Sequence, residues 1–580
     1  MVVTTGLVRR VNGPVVEVEG EELAMLDLVE VGPQRLPGEV ISLDGRLATV
    51  QVYQYTGGIK PGDPVVTTGR PLVAELGPGL LGGVFDGMLR RLSGGADLLE
   101  PGARMETLAA DRRWAFVPSA RVGEEVAPGS LLGACPETAA VEFRALVPAG
   151  VSGRLDWLAG EGEVTVRDPI ARVGGVEVSL AHVWPVRRPR PVRERLRAGT
   201  PLTTGQRVLD LFFPIARGSS AAVPGGFGTG KTVLLQQIAK WCDASVIVYV
   251  GCGERGNELA GVLEELSALH DPRTGHFLLD RTVLIANTSN MPVLAREASI
   301  YTGVTVAELY RDMGYETVLI ADSTSRWAEA LREVASRTGE LPAEEGYPAG
   351  LASALAAFYE RSGRARTLSG AEASVTIIGA ISPAGGDMSE PVSAHTRRFV
   401  RCTWALDADL AYARHYPAVS WHESSSRDAE LLADRHALHR WHALDHDREW
   451  GGRRERALRL LAEADRLESI AQLVGTTSLP DRERIALLTG RLLREAVLQQ
   501  SSLSPNDSYC EPAKQAALLE LVLAVHDRCL LLVDRGIPAA RIEETDMAVA
   551  VHARDETPPD GADQVREIMR LLLARLGELE

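Results

Sequence analysis

Residues 225–232 read Gly225-Gly226-Phe227-Gly228-Thr229-Gly230-Lys231-Thr232, a match to the pattern G-x-x-x-x-G-K-[ST]. Glycines let a backbone fold tightly around a phosphate so that several N–H groups point inward, and the helix that follows adds its positive end. Lys231 is suited to sit as a mobile charge between the β- and γ-phosphates of a nucleotide, and the Thr232 hydroxyl to ligate Mg²⁺. The flanks agree: Ala221-Ala222-Val223 reads as a strand end and residues 233–241 (VLLQQIAKW) as a helix. Lysine is scarce here, found only at Lys60, Lys231, Lys240 and Lys514 among 62 Lys and Arg residues. A lysine in the loop is therefore not a default choice of base.

Outward from the loop, apolar strands alternate with helix-length segments, the strands falling at residues 245–250, 282–285, 317–321 and 374–378. That is the grammar of a mostly parallel sheet with helices on its faces, in which ligands bind beyond the carboxyl ends of the strands. Two acids stand at such ends. Asp322 closes the run TVLIAD and is a candidate for holding Mg²⁺ through water. Glu254 follows residues 245–250 within GCGERGNE, where a carboxylate can align or deprotonate a water in line with a γ-phosphate. Arg255 beside it either pairs with an acid or stabilises phosphate charge.

Farther out, the order is β, β, α/β, then α. Residues 1–70 carry short apolar runs punctuated by Gly and Pro, as in a small barrel, and 71–113 connect. Residues 114–188 repeat that grammar as a second β module and lead out through Pro185, Pro189 and Pro191. Residues 189–430 form the α/β nucleotide-binding region. Residues 431–580 turn helical, with Leu460, Ala464, Leu467, Ile470, Ala471 and Val474 at helical spacing and Gly475 as a stop. In the stretch 475–485 (GTTSLPDRERI), Asp481 reads as a helix cap.

Composition narrows the function. The 580 residues hold 62 Lys plus Arg against 78 Asp plus Glu, a formal net charge of −16, which argues against a nucleic-acid partner reached by bulk electrostatics. No stretch approaches about 18 consecutive apolar residues, so no membrane span is expected, and the first residues show no signal peptide. Six scattered cysteines form neither a zinc pattern nor a disulfide framework. His436, His439, His442 and His446 share one side of a helix; a solvated face is the plain reading and metal binding the alternative.

Several long strings together resemble the catalytic A subunit of V/A-type rotary ATPases. Residues 225–232 look like its P-loop, 248–258 (VYVGCGERGNE) like its glutamate motif, and 321–327 (ADSTSRW) like its magnesium-acid motif. Residues 382–392 (SPAGGDMSEPV), 414–421 (RHYPAVSW), 472–475 (QLVG) and 77–89 (GPGLLGGVFDGML) are similar to further stretches of it. The resemblance implies an N-terminal β-barrel, an inserted β-rich bulge, a central RecA-like α/β P-loop domain and a C-terminal α-helical bundle. It implies ATP made or hydrolysed with Mg²⁺, coupled to transmembrane proton or sodium movement. Lys231 and Arg255 would contact phosphate, Thr232 and Asp322 would hold Mg²⁺, Glu254 would position the water, and Tyr416 would stack on adenine. Three such chains and three non-catalytic B subunits would alternate in a ring, an arginine from B completing each site. A central stalk would meet residues 475–485, a peripheral stalk the N-terminal region, and a membrane sector would be driven indirectly from the cytoplasmic side of the cell membrane.

Two departures stand out. Leu503 occupies the place of a usual second aromatic ring against adenine, so looser base discrimination is expected. Thr229 replaces the cysteine of eukaryotic vacuolar relatives, so thiol-based inhibition of this loop is not. Two other classes compete: a non-catalytic nucleotide-holding ring subunit, which would not need a carboxylate at 254, and a hexameric nucleic-acid translocase, which the acidic balance disfavours.

Overall fold

A computed structural model describes residues 5–21, 23–92, 106–271, 273–432 and 450–580. The histidines at 436, 439, 442 and 446 lie outside the described residues. The chain divides into two compact units: Met1–Arg197 with Ala244–Pro383 and Asp387–Phe399, and Ala198–Asp243 with Ala384–Gly386 and Val400–Glu580.

The first unit opens with a closed barrel built from Thr5–Asn12, Val15–Glu19, Asp27–Val31, Leu36–Asp44, Leu47–Val52 and Pro64–Pro71. Alternate residues of a barrel strand face inward, and here Val16, Val18, Val29, Val31, Val40 and Val50 fill the interior. A β-rich module follows as two four-stranded sheets, one including Leu131–Pro136 and Glu142–Leu146, the other Gly153–Leu158 and Pro169–Val173. Its Glu137 is buried and accepts the backbone N–H groups of Gly79, Leu80 and Leu81 at 2.8, 2.9 and 3.0 Å and the Tyr310 hydroxyl at 3.0 Å.

The α/β part of this unit is a sheet in the order Gly363–Arg366, Glu372–Ile381, Thr317–Asp322, Val246–Glu254, Thr282–Thr288, Val84–Phe85, parallel except for its first pair. Central parallel strands are buried on both faces and so read as unbroken apolar runs; VIVYV and TVLIA are such runs. Helix Val293–Asp312 packs on the sheet, and Gly303 permits close approach, since a Cβ there would meet Val250 Cγ2 at 2.5 Å. Arg187 ties the barrel to this helix by bridging Glu39 at 2.6 Å and Glu297 at 2.5 Å.

The second unit contains the strand Ser220–Pro224, parallel to Cys402–Thr403, and the helix Lys231–Trp241. From residue 450 on it is helical: Trp450–Val474, Asp481–Leu492, Pro512–Asp534 and Ala562–Gly577 are the long members. Pro512–Asp534 packs against the other three, which is why Leu518, Leu521, Val522, Val525 and Leu532 are all buried. Gly475, at φ +82°, ends the first of these helices at Val474. The expected order of barrel, β-rich insertion, α/β region and helical end is thus present. Asp481 is a correction. Pro480 holds the cap position, and the Asp481 carboxylate instead accepts the Ala539 N–H at 3.0 Å, at the start of Ala539–Glu543.

Candidate active site

In the second unit, Ser220–Pro224 delivers the chain into the glycine loop and Lys231–Trp241 leads it away. Gly228 and Gly230 take φ values of +79° and +87°, a region that favours residues without a Cβ. The Thr229 hydroxyl closes the loop by donating to the Gly226 carbonyl at 2.9 Å, and Gly225 lies so close to Leu406 that a Cβ would meet its Cβ at 2.8 Å. Lys231 Nζ points into the loop and donates to the carbonyls of Gly225 and Gly226 at 2.6 and 2.9 Å. Thr232 is the second residue of the helix and half-buried, whereas the Phe227 ring is 95% exposed. Tyr416 stands beside the loop, its ring atoms 3.6 and 3.7 Å from where a Gly230 Cβ would lie. Loop, tyrosine and Leu503 border one cleft of about 540 Å³.

In the first unit, Val246–Glu254 and Thr317–Asp322 run parallel with Gly251 opposite Asp322, which brings both acids to the carboxyl edge of one sheet. Asp322 is buried, and the Tyr249 hydroxyl donates to its Oδ2 at 3.1 Å. Burial pushes the Glu254 carboxyl up to about 7, and the negative charges of Asp322 and Glu258 add to the shift while Arg326 opposes it. Arg255 is exposed and has no ion-pair partner among the described residues. Asp322 offers hard carboxylate oxygens of the kind Mg²⁺ prefers over softer ligands, while among the described residues no three His, Cys, Asp or Glu side chains gather to hold a metal ion by themselves.

Sequence reasoning overlooked Arg326. It lies in the first turn of Thr324–Thr338, pairs with Glu329 at 2.9 Å and acts on the Glu254 charge. The usable signal was Gly253: at φ +74°, a Cβ there would meet Arg326 Cβ at 2.7 Å, so the glycine makes room for the arginine beside the acid.

Four domain descriptions match the chain in order. They are the ATP synthase alpha/beta family beta-barrel domain at residues 8–69, the ATP synthase alpha/beta subunit barrel-sandwich domain at 105–187, the ATP synthase alpha/beta family nucleotide-binding domain at 205–426, and the C-terminal domain of V and A type ATP synthase at 439–541. The chain is 50% identical to the V-type ATP synthase alpha chain of Nitrosococcus oceani, covering 93% of this chain and 92% of that one. It is 46% identical to the A subunit of the A-type ATP synthase of Thermofilum pendens, covering 99% and 96%. With the corresponding A subunit of Thermococcus onnurineus the identity is 49%, covering 93% of each. Among solved structures, the assembled ATPase EscN of the enteropathogenic E. coli type III secretion system is 21% identical with a TM-score of 0.63, covering 89% of this chain and all of that one, a likeness of fold alone.

Proposed function

This chain belongs to the family of V-type ATP synthase alpha chains and A-type ATP synthase A subunits, and we propose on that premise that it is the catalytic subunit of a rotary ATPase that makes or hydrolyses ATP coupled to transmembrane movement of protons or sodium ions. The loop of residues 225–232 wraps the phosphates with its N–H groups. Lys231 exchanges its two loop carbonyls for phosphate oxygens and places its charge between the β- and γ-phosphates. Tyr416, 43% exposed, offers a ring face to adenine. Arg255, unpaired among the described residues, is free to meet phosphate charge. Thr232 and Asp322 would hold Mg²⁺, which when bound neutralises charge on the β- and γ-oxygens.

Glu254 orients the attacking water and receives its proton. A carboxyl that holds a proton up to about pH 7 is a stronger base than an ordinary glutamate and still ionised for much of the working range. This placement of Glu254 beside Asp322 at a strand's carboxyl edge carries the reading, because a subunit that merely held nucleotide would have no use for it. The test is Glu254→Gln in the assembled complex. Nucleotide binding should persist while turnover falls at least about a hundredfold, about 2.7 kcal/mol of barrier; near-normal turnover refutes the role.

The chain works in a complex with other ATP synthase subunits. In that complex we place it in a ring alternating with three B subunits, each contributing an arginine to the neighbouring site. The central stalk meets residues 475–485 and the peripheral stalk the N-terminal region. Among the described residues no helix is long and apolar enough to cross a membrane, in keeping with peripheral attachment on the cytoplasmic side.

A further inference from the structure

Two buried cations that take no part in this chemistry converge on one wall of the nucleotide cleft. Residues 499–503 form that wall and end at Leu503, which is 92% exposed. Arg207 has no exposure, and its donors are spent on the wall and its roots. Its backbone N–H donates to Gln500 Oε1 at 2.8 Å, Nε to the Val497 carbonyl at 3.0 Å, Nη2 to the Gln499 carbonyl at 2.6 Å and Nη1 to Asp507 Oδ1 at 2.5 Å. Asp507, equally buried, passes the restraint on by accepting the Ser501 N–H at 2.7 Å through Oδ2. Gln500 returns its amide to the Gly205 carbonyl at 2.8 Å, and its backbone N–H donates to the Tyr416 carbonyl at 2.8 Å.

Lys514 braces the far side. Its buried ammonium donates to the carbonyls of Asn506, Arg554 and Thr557 at 2.9, 2.8 and 2.8 Å, and Arg554 in turn donates through Nη1 to the carbonyls of Glu495 and Gln499. The loop is therefore held at both roots and at its middle, while its tip stands bare. Ordering a bare tip does little for the core, but it removes the ordering that a ligand would otherwise have to impose on binding.

We infer that Arg207, acting through Asp507 and Gln500, is a positioning residue for the nucleobase end of the site: it holds the wall of residues 499–503 and the Tyr416 backbone in the geometry that receives a base. This rests on the reading of the cleft as a nucleotide site. Among the described residues none of its hydrogen bonds goes to the loop of residues 225–232, so it sets nucleotide affinity and leaves the chemical step alone.

The experiment uses the complex assembled with its partner subunits and compares ATP with inorganic tripolyphosphate, a competitor that has no base. Arg207→Lys keeps the charge but loses the fork. The expected result is an ATP KM raised about tenfold or more, kcat within about twofold, and tripolyphosphate inhibition unmoved. Gln500→Met keeps the volume and should show the same split in smaller measure. Parallel weakening of ATP and tripolyphosphate, or an ATP KM unchanged in both variants, overturns the inference. If Arg207→Lys does not assemble, Gln500→Met decides; failure of both to assemble assigns these residues to folding and also overturns it. A wild-type complex indifferent to tripolyphosphate would sink the P-loop reading itself.

Discussion

Glu254 is held in an environment that resists its ionisation, through burial first and then through Asp322 and Glu258. A raised carboxyl pKa has a definite sign in stability. Below the ordinary value of 4.5 both folded and unfolded forms carry the proton; between 4.5 and about 7 the folded form keeps a proton the unfolded one has lost, so stability falls as pH rises through that window. A shift of that size corresponds to about 3 kcal/mol for a fully enclosed group, and partial exposure reduces it to about 1–2 kcal/mol. Glu254→Gln should therefore be more stable than the native chain at pH 8 by about 1–2 kcal/mol, with the gap closing by pH 4.5. Denaturant midpoints at the two pH values check this, and a gap independent of pH contradicts it. Both acids were legible in the sequence because each ends an apolar run. Arg326 was not, because it reaches Glu254 only through the space that Gly253 leaves.

Among the elements, Glu137 is one of several polar links from the β-rich module to the rest of its unit, beside Thr138 on the Asp280 carbonyl at 2.7 Å and Arg144 on the Met313 carbonyl at 2.6 Å. Glu137 Oε1 accepts three consecutive N–H groups from residues 79–81, an anion nest, and Tyr310 adds its hydroxyl from helix Val293–Asp312. Burial raises the Glu137 carboxyl pKa and these donors oppose the rise. Removing the acceptor leaves buried donors unsatisfied, each worth about 1–3 kcal/mol. Glu137→Ala should therefore destabilise the unit by about 3 kcal/mol or more, and Glu137→Gln by clearly less because it keeps one acceptor. Tryptophan-monitored unfolding reads this through Trp114, which packs at Gly79; equal losses in the two variants would deny the nest its role. The glycine-rich string 77–89 was visible as a string, but nothing in it announced an acid nearly sixty residues away as its partner.

At the scale of the whole molecule, an arginine supplied by a neighbour would leave the isolated chain incomplete. We expect the chain alone to bind ATP yet hydrolyse it at least about a thousandfold more slowly than the assembled complex, the scale on which such an arginine acts. Comparable rates, measured by phosphate release, would remove the need for it. The linear chain already carries the glycine-rich loop, the strand-end acids and the succession of β, α/β and helical regions, since glycine spacing and apolar periodicity are encoded among near neighbours. It does not carry the Arg207 fork, whose acceptors lie 290 to 300 positions away, nor the nest around Glu137. Those depend on polar groups of remote segments meeting in a dry interior, where each must find a partner, and only packing decides which partner that is.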